Sequence, residues 1–211
     1  MNALTYASPG SVDEAVKLLA AADGNARLLA GGTDLLVQLR LGMIEPSLIV
    51  DVKNISEMTA IKEENGGFRI GASVSGAVLG EHAGMRRAWP GVIEAVELIG
   101  STQIQGRATM GGNLCNASPA ADAVPAMIAA DAVCTIAGPD GRREARVEEI
   151  VIGPGETSLE AFEMIVDFFD DVITETLGKE AGRRFFPFIM TIFFFMLVAN
   201  WLDWVPFLDS P

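Results

Sequence analysis

The chain has 211 residues and a net charge of −13, and half of its residues are hydrophobic. That acidity, with no basic stripe interleaved with aromatics, excludes a binder of nucleic-acid phosphate backbones. Its two cysteines, Cys115 and Cys134, lack CxxC spacing; they read as reduced thiols and are too few to ligate an iron–sulfur cluster.

The N-terminal segment MNALTYASPGSVDEA has neither the basic nor the apolar region of a secretory signal. Ser11 and Glu14 form an S-x-x-E capping box, which predicts a helix over 11–22. ARLLAGG (26–32) reads as a buried strand entering a glycine turn, and DLLVQLRLG (34–42) as a helix that stops at Gly42. SLIVDV (47–52) and FRIGASV (68–74) read as further buried strands. Pro90 opens a helix that places Val92, Ile93, Val96 and Ile99 on one face. A glycine-rich stretch, GRATMGGNLCNASPAAD (106–122), precedes a helix AVPAMIAAD and a strand AVCTIAG (132–138). Pro139-Asp140-Gly141 marks a turn between two strands, and GPGET (153–157) is a loop. The alternation of short strands and helices predicts an α/β or α+β layer structure.

At residue 159 the texture changes. Twenty of the 22 glycines precede that point and ten of the 11 phenylalanines follow it. Residues 1–158 carry 12 basic and 19 acidic side chains, and residues 159–211 carry 3 and 9. Residues 159–182 predict an amphipathic helix, with Phe162, Ile165, Val166, Phe169, Val172, Ile173 and Leu177 on one face and Asp167, Asp170, Asp171 and Glu175 on the other. Residues 183–211 then predict a single membrane segment. Phe185 to Leu202 is an uncharged run of 18 residues, which at about 1.5 Å per residue gives roughly 27 Å, the thickness of a bilayer core. Arg183 and Arg184 before it, and Trp201 and Trp204 after it, read as interface anchors, so a lipid bilayer contacting 185–208 is an expected partner.

Two glycine motifs carry chemistry. Ala30-Gly31-Gly32-Thr33-Asp34 follows a strand and opens a helix, so its backbone can turn tightly and its N–H groups can approach an anion. A pyrophosphate fits there, with Asp34 acting mainly as a helix cap; a plain glycine turn is the alternative. Thr109-Met110-Gly111-Gly112-Asn113 offers small residues with hydrogen-bonding side chains at Thr109 and Asn113, and Asp122 can accept from a ribose or an adenine amine. His82, the sole histidine, lies outside both motifs and reads as a surface or structural residue.

Together, LLAGGTDLLVQLRLG and QIQGRATMGGNLCNASPAADAVPAM resemble the two flavin loops of the FAD-binding medium subunit of the molybdenum hydroxylases, of the carbon monoxide dehydrogenase and xanthine dehydrogenase type. The Tyr6-x-x-Pro9 start, SVDEAVKLL, SLIVDVKNI and GPGET match as well, so the resemblance covers residues 1–158. It implies an α+β fold, the two-subdomain FAD module of the vanillyl-alcohol oxidase (PCMH) type, incomplete at its C-terminal side. It implies that Ala30, Gly31, Gly32, Thr33 and Asp34 hold the pyrophosphate of FAD and that Thr109, Gly111, Gly112, Asn113 and Asp122 line the cofactor. It also implies an iron–sulfur subunit and a molybdopterin subunit as partners, a cytoplasmic flavin domain, and electron transfer from the clusters to an acceptor. Gln105-Gly106 stands where the family commonly has Arg-Asn.

The tail resembles another family. FEMIVDFFDDVITETLGKEAGRRFFPFIMTIFFFMLVANWL is similar to the start of subunit a of the F-type ATP synthase, over about 160–206. That family moves protons past an arginine on a later membrane helix, and no arginine or lysine follows Arg184 here, so the chain alone cannot form that path. The resemblance implies an inner-membrane anchor. The expectation is therefore a flavoprotein electron-transfer subunit with a foreign tail; an ATP synthase fragment and a chimeric fusion are the alternatives.

Overall fold

A computed structural model describes residues 4–64 and 66–169. The chain begins with β1 (Thr5–Ala7), α1 (Val12–Ala21), β2 (Ala26–Leu29), α2 (Leu35–Arg40) and β3 (Leu48–Asp51). Ser11 caps α1 by accepting from the Glu14 N–H at 3.2 Å, and the Glu14 carboxylate reaches back to Gly10 N at 2.9 Å, one residue earlier than a standard capping box. Strands β1, β3 and β2 form a parallel three-stranded sheet in that order, as strands linked through helices do. Helix α2 ends at Gly42, with φ of +66°, where Gly42 N bonds Leu39 O and Met43 N bonds Gln38 O. This is a Schellman stop, which is why the sequence reads a helix end there.

Next come α3 (Ser56–Thr59), β4 (Ile61–Glu64) and β5 (Gly67–Gly71). A helical run follows: α4 (Gly76–Glu81), α5 (Ala83–Ala88), α6 (Pro90–Glu97), α7 (Thr102–Gln105), α8 (Met110–Cys115) and α9 (Ala123–Ala129). The chain finishes its described part with β6 (Val133–Gly138), β7 (Gly141–Arg146), β8 (Val151–Gly153), β9 (Glu156–Thr157) and β10 (Met164–Phe169). The predicted strand over 68–74 ends at Gly71, because a Cβ there would lie 2.3 Å from the Met58 backbone and the chain turns away at that contact. GPGET is not wholly loop: its flanks pair as the β8–β9 hairpin around Gly155, with φ of +75°.

The second sheet is antiparallel, in the order β4-β5-β10-β6-β7. Its centre corrects the reading of 159–182 as an amphipathic helix. Over 164–169 the chain is a strand, and Met164, Ile165, Val166 and Phe168 are buried. The Ile, Val and Phe residues favour a pleated, covered surface as readily as a helix stripe. The misleading signal was Asp167, which pointed to a solvated helix face. Asp167 is in fact 2% exposed and accepts from Arg69 Nη1 at 2.8 Å, across 98 residues of sequence. The register between β10 and β6 shifts between Ile165 and Asp167, a bulge that puts Val166 out of step, and Val166 O accepts from Ala72 N at 2.9 Å.

The core sits between this sheet and the helices. Phe68, Ile70 and Phe168 meet Met85, Trp89, Val92, Met110 and Met127 of α5, α6, α8 and α9. Burying each such side chain contributes roughly 1.5–3 kcal/mol. Helix α1 packs on β6 and β3, which joins the two sheets into one core. Among the described residues no helix is long and apolar enough to cross a membrane. The predicted span over 183–211, its bilayer contact at 185–208 and the helical reading of 170–182 lie outside the described residues.

Candidate functional site

The end of β2 and the start of α8 come together at one cleft. Gly31 sits so close to the second motif that a Cβ on it would lie 2.2 Å from Arg107 O and 3.1 Å from Ala108 Cα. Gly111 is held in the same way, with a Cβ position 2.6 Å from Ala72 O. Glycine at these two positions therefore lets protein backbones meet each other, a role beside the tight turn and ligand approach read from the sequence. Gly32 has a φ of +78°, which L side chains rarely adopt, and turns the chain into α2. Gly112 differs: the nearest atom to a Cβ there is Thr109 Oγ1 at 3.1 Å, so its space faces the cleft more freely.

Ala30, Gly31, Gly32, Thr33, Asp34, Thr109, Gly111, Gly112 and Asn113 all line this cleft. Its cavity volume is about 260 Å³. Sites for whole drug-sized ligands span roughly 300–1,000 Å³, so the enclosed part takes a portion of a dinucleotide. Asp122 is not among the lining residues; it is exposed at the start of α9. Beside it, Asn113 Oδ1 accepts from Ala123 N at 3.1 Å and ties α8 to the start of α9.

Of the motif side chains at helix starts, Thr109 caps its helix and Asp34 does not. Thr109 is buried and accepts from Gly112 N at 2.9 Å, capping α8, so its hydroxyl hydrogen remains for another acceptor. Asp34 occupies the cap position of α2 but makes no side-chain cap bond, against the expected capping role. Its backbone is αR, with ψ of −47°, instead of the extended conformation that a capping residue usually takes. Across the cleft Gln38 Nε2 donates to Asn116 Oδ1 at 3.4 Å and ties α2 to the end of α8.

Sequence reading missed Arg27, Gln38, Ser73, Cys115, Asn116 and Ile165 as lining residues. Arg27 and Gln38 flank the first motif, and Cys115 and Asn116 continue the second, so widening each motif by a few residues finds them. Arg27 is the one base and Asp34 the one acid among the lining residues. The Arg27 guanidinium donates to Ala26 O at 2.7 Å and to Gly24 O at 3.3 Å, residues that do not line the cleft. Cys115 lines the cleft and is exposed, and desolvation pushes its thiol up to about 12. It stays protonated and unreactive at neutral pH. Burial pushes the Cys134 thiol up as well. Among the described residues no group of histidine, cysteine and carboxylate side chains could hold a metal.

The cleft suits a polar, elongated ligand: glycine backbone on two sides, apolar walls at Val52, Met58, Ala72 and Ile165, and a buried Ser73 hydroxyl without a partner among the described residues. The family model for the FAD binding domain in molybdopterin dehydrogenase matches residues 2–169. The chain belongs to that family. Its match extends through β10, past the boundary expected at residue 158.

Relatives agree with this assignment. The carbon monoxide dehydrogenase medium chain of Hydrogenophaga pseudoflava is 34% identical over 162 residues, covering 77% of this chain and 56% of the relative. The xanthine dehydrogenase FAD-binding subunit of Escherichia coli O157:H7 is 36% identical over 165 residues, covering 78% and 56%. Among solved structures, carbon monoxide dehydrogenase from Hydrogenophaga pseudoflava lacking the Mo-pyranopterin moiety superposes with a TM-score of 0.77 at 33% identity, covering 79% of this chain and 58% of that one. Quinoline 2-oxidoreductase from Pseudomonas putida 86 gives 0.76 at 29% identity, covering 80% and 59%. The chain thus spans little more than half the length of these relatives. A family model for the ATP synthase A chain also matches, over residues 141–210. Within that stretch, β7 to β10 are paired strands, with β7 and β10 built into the five-stranded sheet.

Proposed function

We propose that this chain is an FAD-holding electron-transfer subunit of a molybdenum hydroxylase-type oxidoreductase, working beside an iron–sulfur subunit and a molybdopterin subunit. The observation that carries the reading is the direct contact of Gly31 with the Arg107 and Ala108 backbone, which joins two flavin-family motifs into one cleft. When bound, FAD supplies the redox chemistry, accepting electrons and passing them on. The protein's part is to bind and orient. The glycine backbone at Gly32 lines the cleft and suits phosphate oxygens, while the Gly112 N–H is already given to Thr109 Oγ1. Asp34 in the first motif opposes the negative charge of those phosphate oxygens. Val52, Met58 and Ile165 exclude water from the apolar part of the ligand. The absence of metal-ligating clusters among the described residues is compatible with clusters carried on separate chains.

The test is to isolate the tagged full chain gently from its native cells and measure flavin, iron and molybdenum together. The proposal expects all three in constant ratio through successive purification steps. Flavin retained with neither iron nor molybdenum would overturn the partner assignment.

A further inference from the structure

The Ser73 hydroxyl has a use that neither the family motifs nor the sequence reading assigns. Ser73 is 7% exposed, and its Oγ is a buried side-chain oxygen with no hydrogen-bond partner among the described residues. A buried hydroxyl left unpaired is unfavourable, so one retained in a ligand cleft signals a missing partner. Ser73 does not cap a helix, because Ser75 takes that role for α4 by accepting from Val78 N. It lines the same cleft as Gly31, Gly111 and Gly112.

Its backbone is clamped on both sides. Ser73 N donates to Met58 O at 2.8 Å, Ala72 N donates to Val166 O at 2.9 Å, and Val74 N donates to Gly71 O at 3.0 Å. The Ala72 carbonyl in turn lies against Gly111, so this turn is the floor on which the second motif rests. A hydroxyl on such a platform is preorganised, and pairing it with a ligand costs little ordering entropy.

We propose that Ser73 is a further FAD-holding residue, whose hydroxyl donates a hydrogen bond to an oxygen of the bound dinucleotide. This rests on FAD binding in the cleft, as set out above. The shared chemistry is an oxygen acceptor, whether phosphate, ribityl or ring carbonyl.

The experiment compares the full chain with Ser73→Ala, each freed of flavin, by titration with FAD and by urea unfolding without FAD. The proposal expects FAD affinity to fall about 5- to 30-fold in the variant, the range for losing one hydrogen bond to a polar or charged acceptor. It also expects the flavin-free unfolding midpoint to stay the same or rise, since the substitution removes an unpaired polar group. Equal FAD affinity within twofold would overturn the role of Ser73. A lowered flavin-free midpoint would also overturn it, by showing that the hydroxyl serves the fold. If the parent chain itself takes up no FAD, the failure belongs to the cofactor reading and removes both.

Discussion

Gly31→Ala tests whether the two motifs form one site. The added Cβ would lie 2.2 Å from Arg107 O, 2.9 Å from Arg107 C and 3.1 Å from Ala108 Cα, all backbone atoms. A carbon normally approaches an oxygen no closer than about 3.3 Å, so one loop must move by about 1 Å. Overpacking of this kind costs about 1–3 kcal/mol, and the lower unfolded-state entropy of alanine returns only about 0.4–1 kcal/mol. Gly31 does not have a positive φ, so the penalty comes from the contact and not from backbone strain. Gly112→Ala is the matched control. Its nearest contact is Thr109 Oγ1 at 3.1 Å, and a glycine inside a helix gains up to about 1 kcal/mol on becoming alanine. Urea unfolding of the flavin-free proteins should show Gly31→Ala destabilised and Gly112→Ala at or above the parent. Titration should show both with weakened FAD affinity, the first through a displaced loop and the second through filled ligand space. A Gly31→Ala protein as stable as the parent without flavin would refute the contact as drawn.

Three other outcomes follow from the structure. Val166→Asp puts an unpaired carboxylate at a fully buried position of the central strand, where Val166 is 0% exposed; cooperative unfolding monitored by circular dichroism should be lost or its midpoint sharply lowered, and a parent-like transition would place 164–169 outside the core. Glu57 and Glu163 are held below the usual carboxylate range, by the hydrogen bonds from Arg142 and Arg143 respectively. A depressed folded pKa contributes stability that is present above the unfolded value and lost as pH falls through the folded one, so stability measured by urea midpoints should decline below about pH 4.5. Replacing both glutamates by glutamine should flatten that decline. Cys115 should alkylate slowly at pH 7 and faster at high pH, and added FAD should protect it, with mass spectrometry as the readout; unchanged labelling with FAD would move the ligand out of the cleft.

What the sequence made legible was mostly local. The α1 cap at Ser11, the α2 stop at Gly42 and the apolar face of α6 rest on neighbours in the chain, and they stand where the spacing put them. The two motifs were legible as glycine turns because their small residues are contiguous, and it is the family resemblance that marked them as flavin loops. That Gly31 and Gly111 press against Arg107 and Ala72 was not legible, since those contacts depend on how distant segments meet. The same limit explains the error at 164–169. The lone Asp167 among apolar neighbours falls on the acidic side of a helix wheel drawn over 159–182, and only Arg69, 98 residues upstream, reveals it as a buried partner inside a sheet. Ser73 had no signal in its own surroundings, because an orphaned hydroxyl exists only once the fold has enclosed it.

The most direct measurement is the visible spectrum of the purified full chain, with the flavin released on denaturation counted against protein, for the parent and for Gly112→Leu. The account predicts flavin bands, close to one FAD per chain in the parent, and their loss in the variant while the far-ultraviolet circular dichroism stays unchanged. A folded parent that carries no flavin and takes up none when FAD is added would contradict the assignment of this cleft.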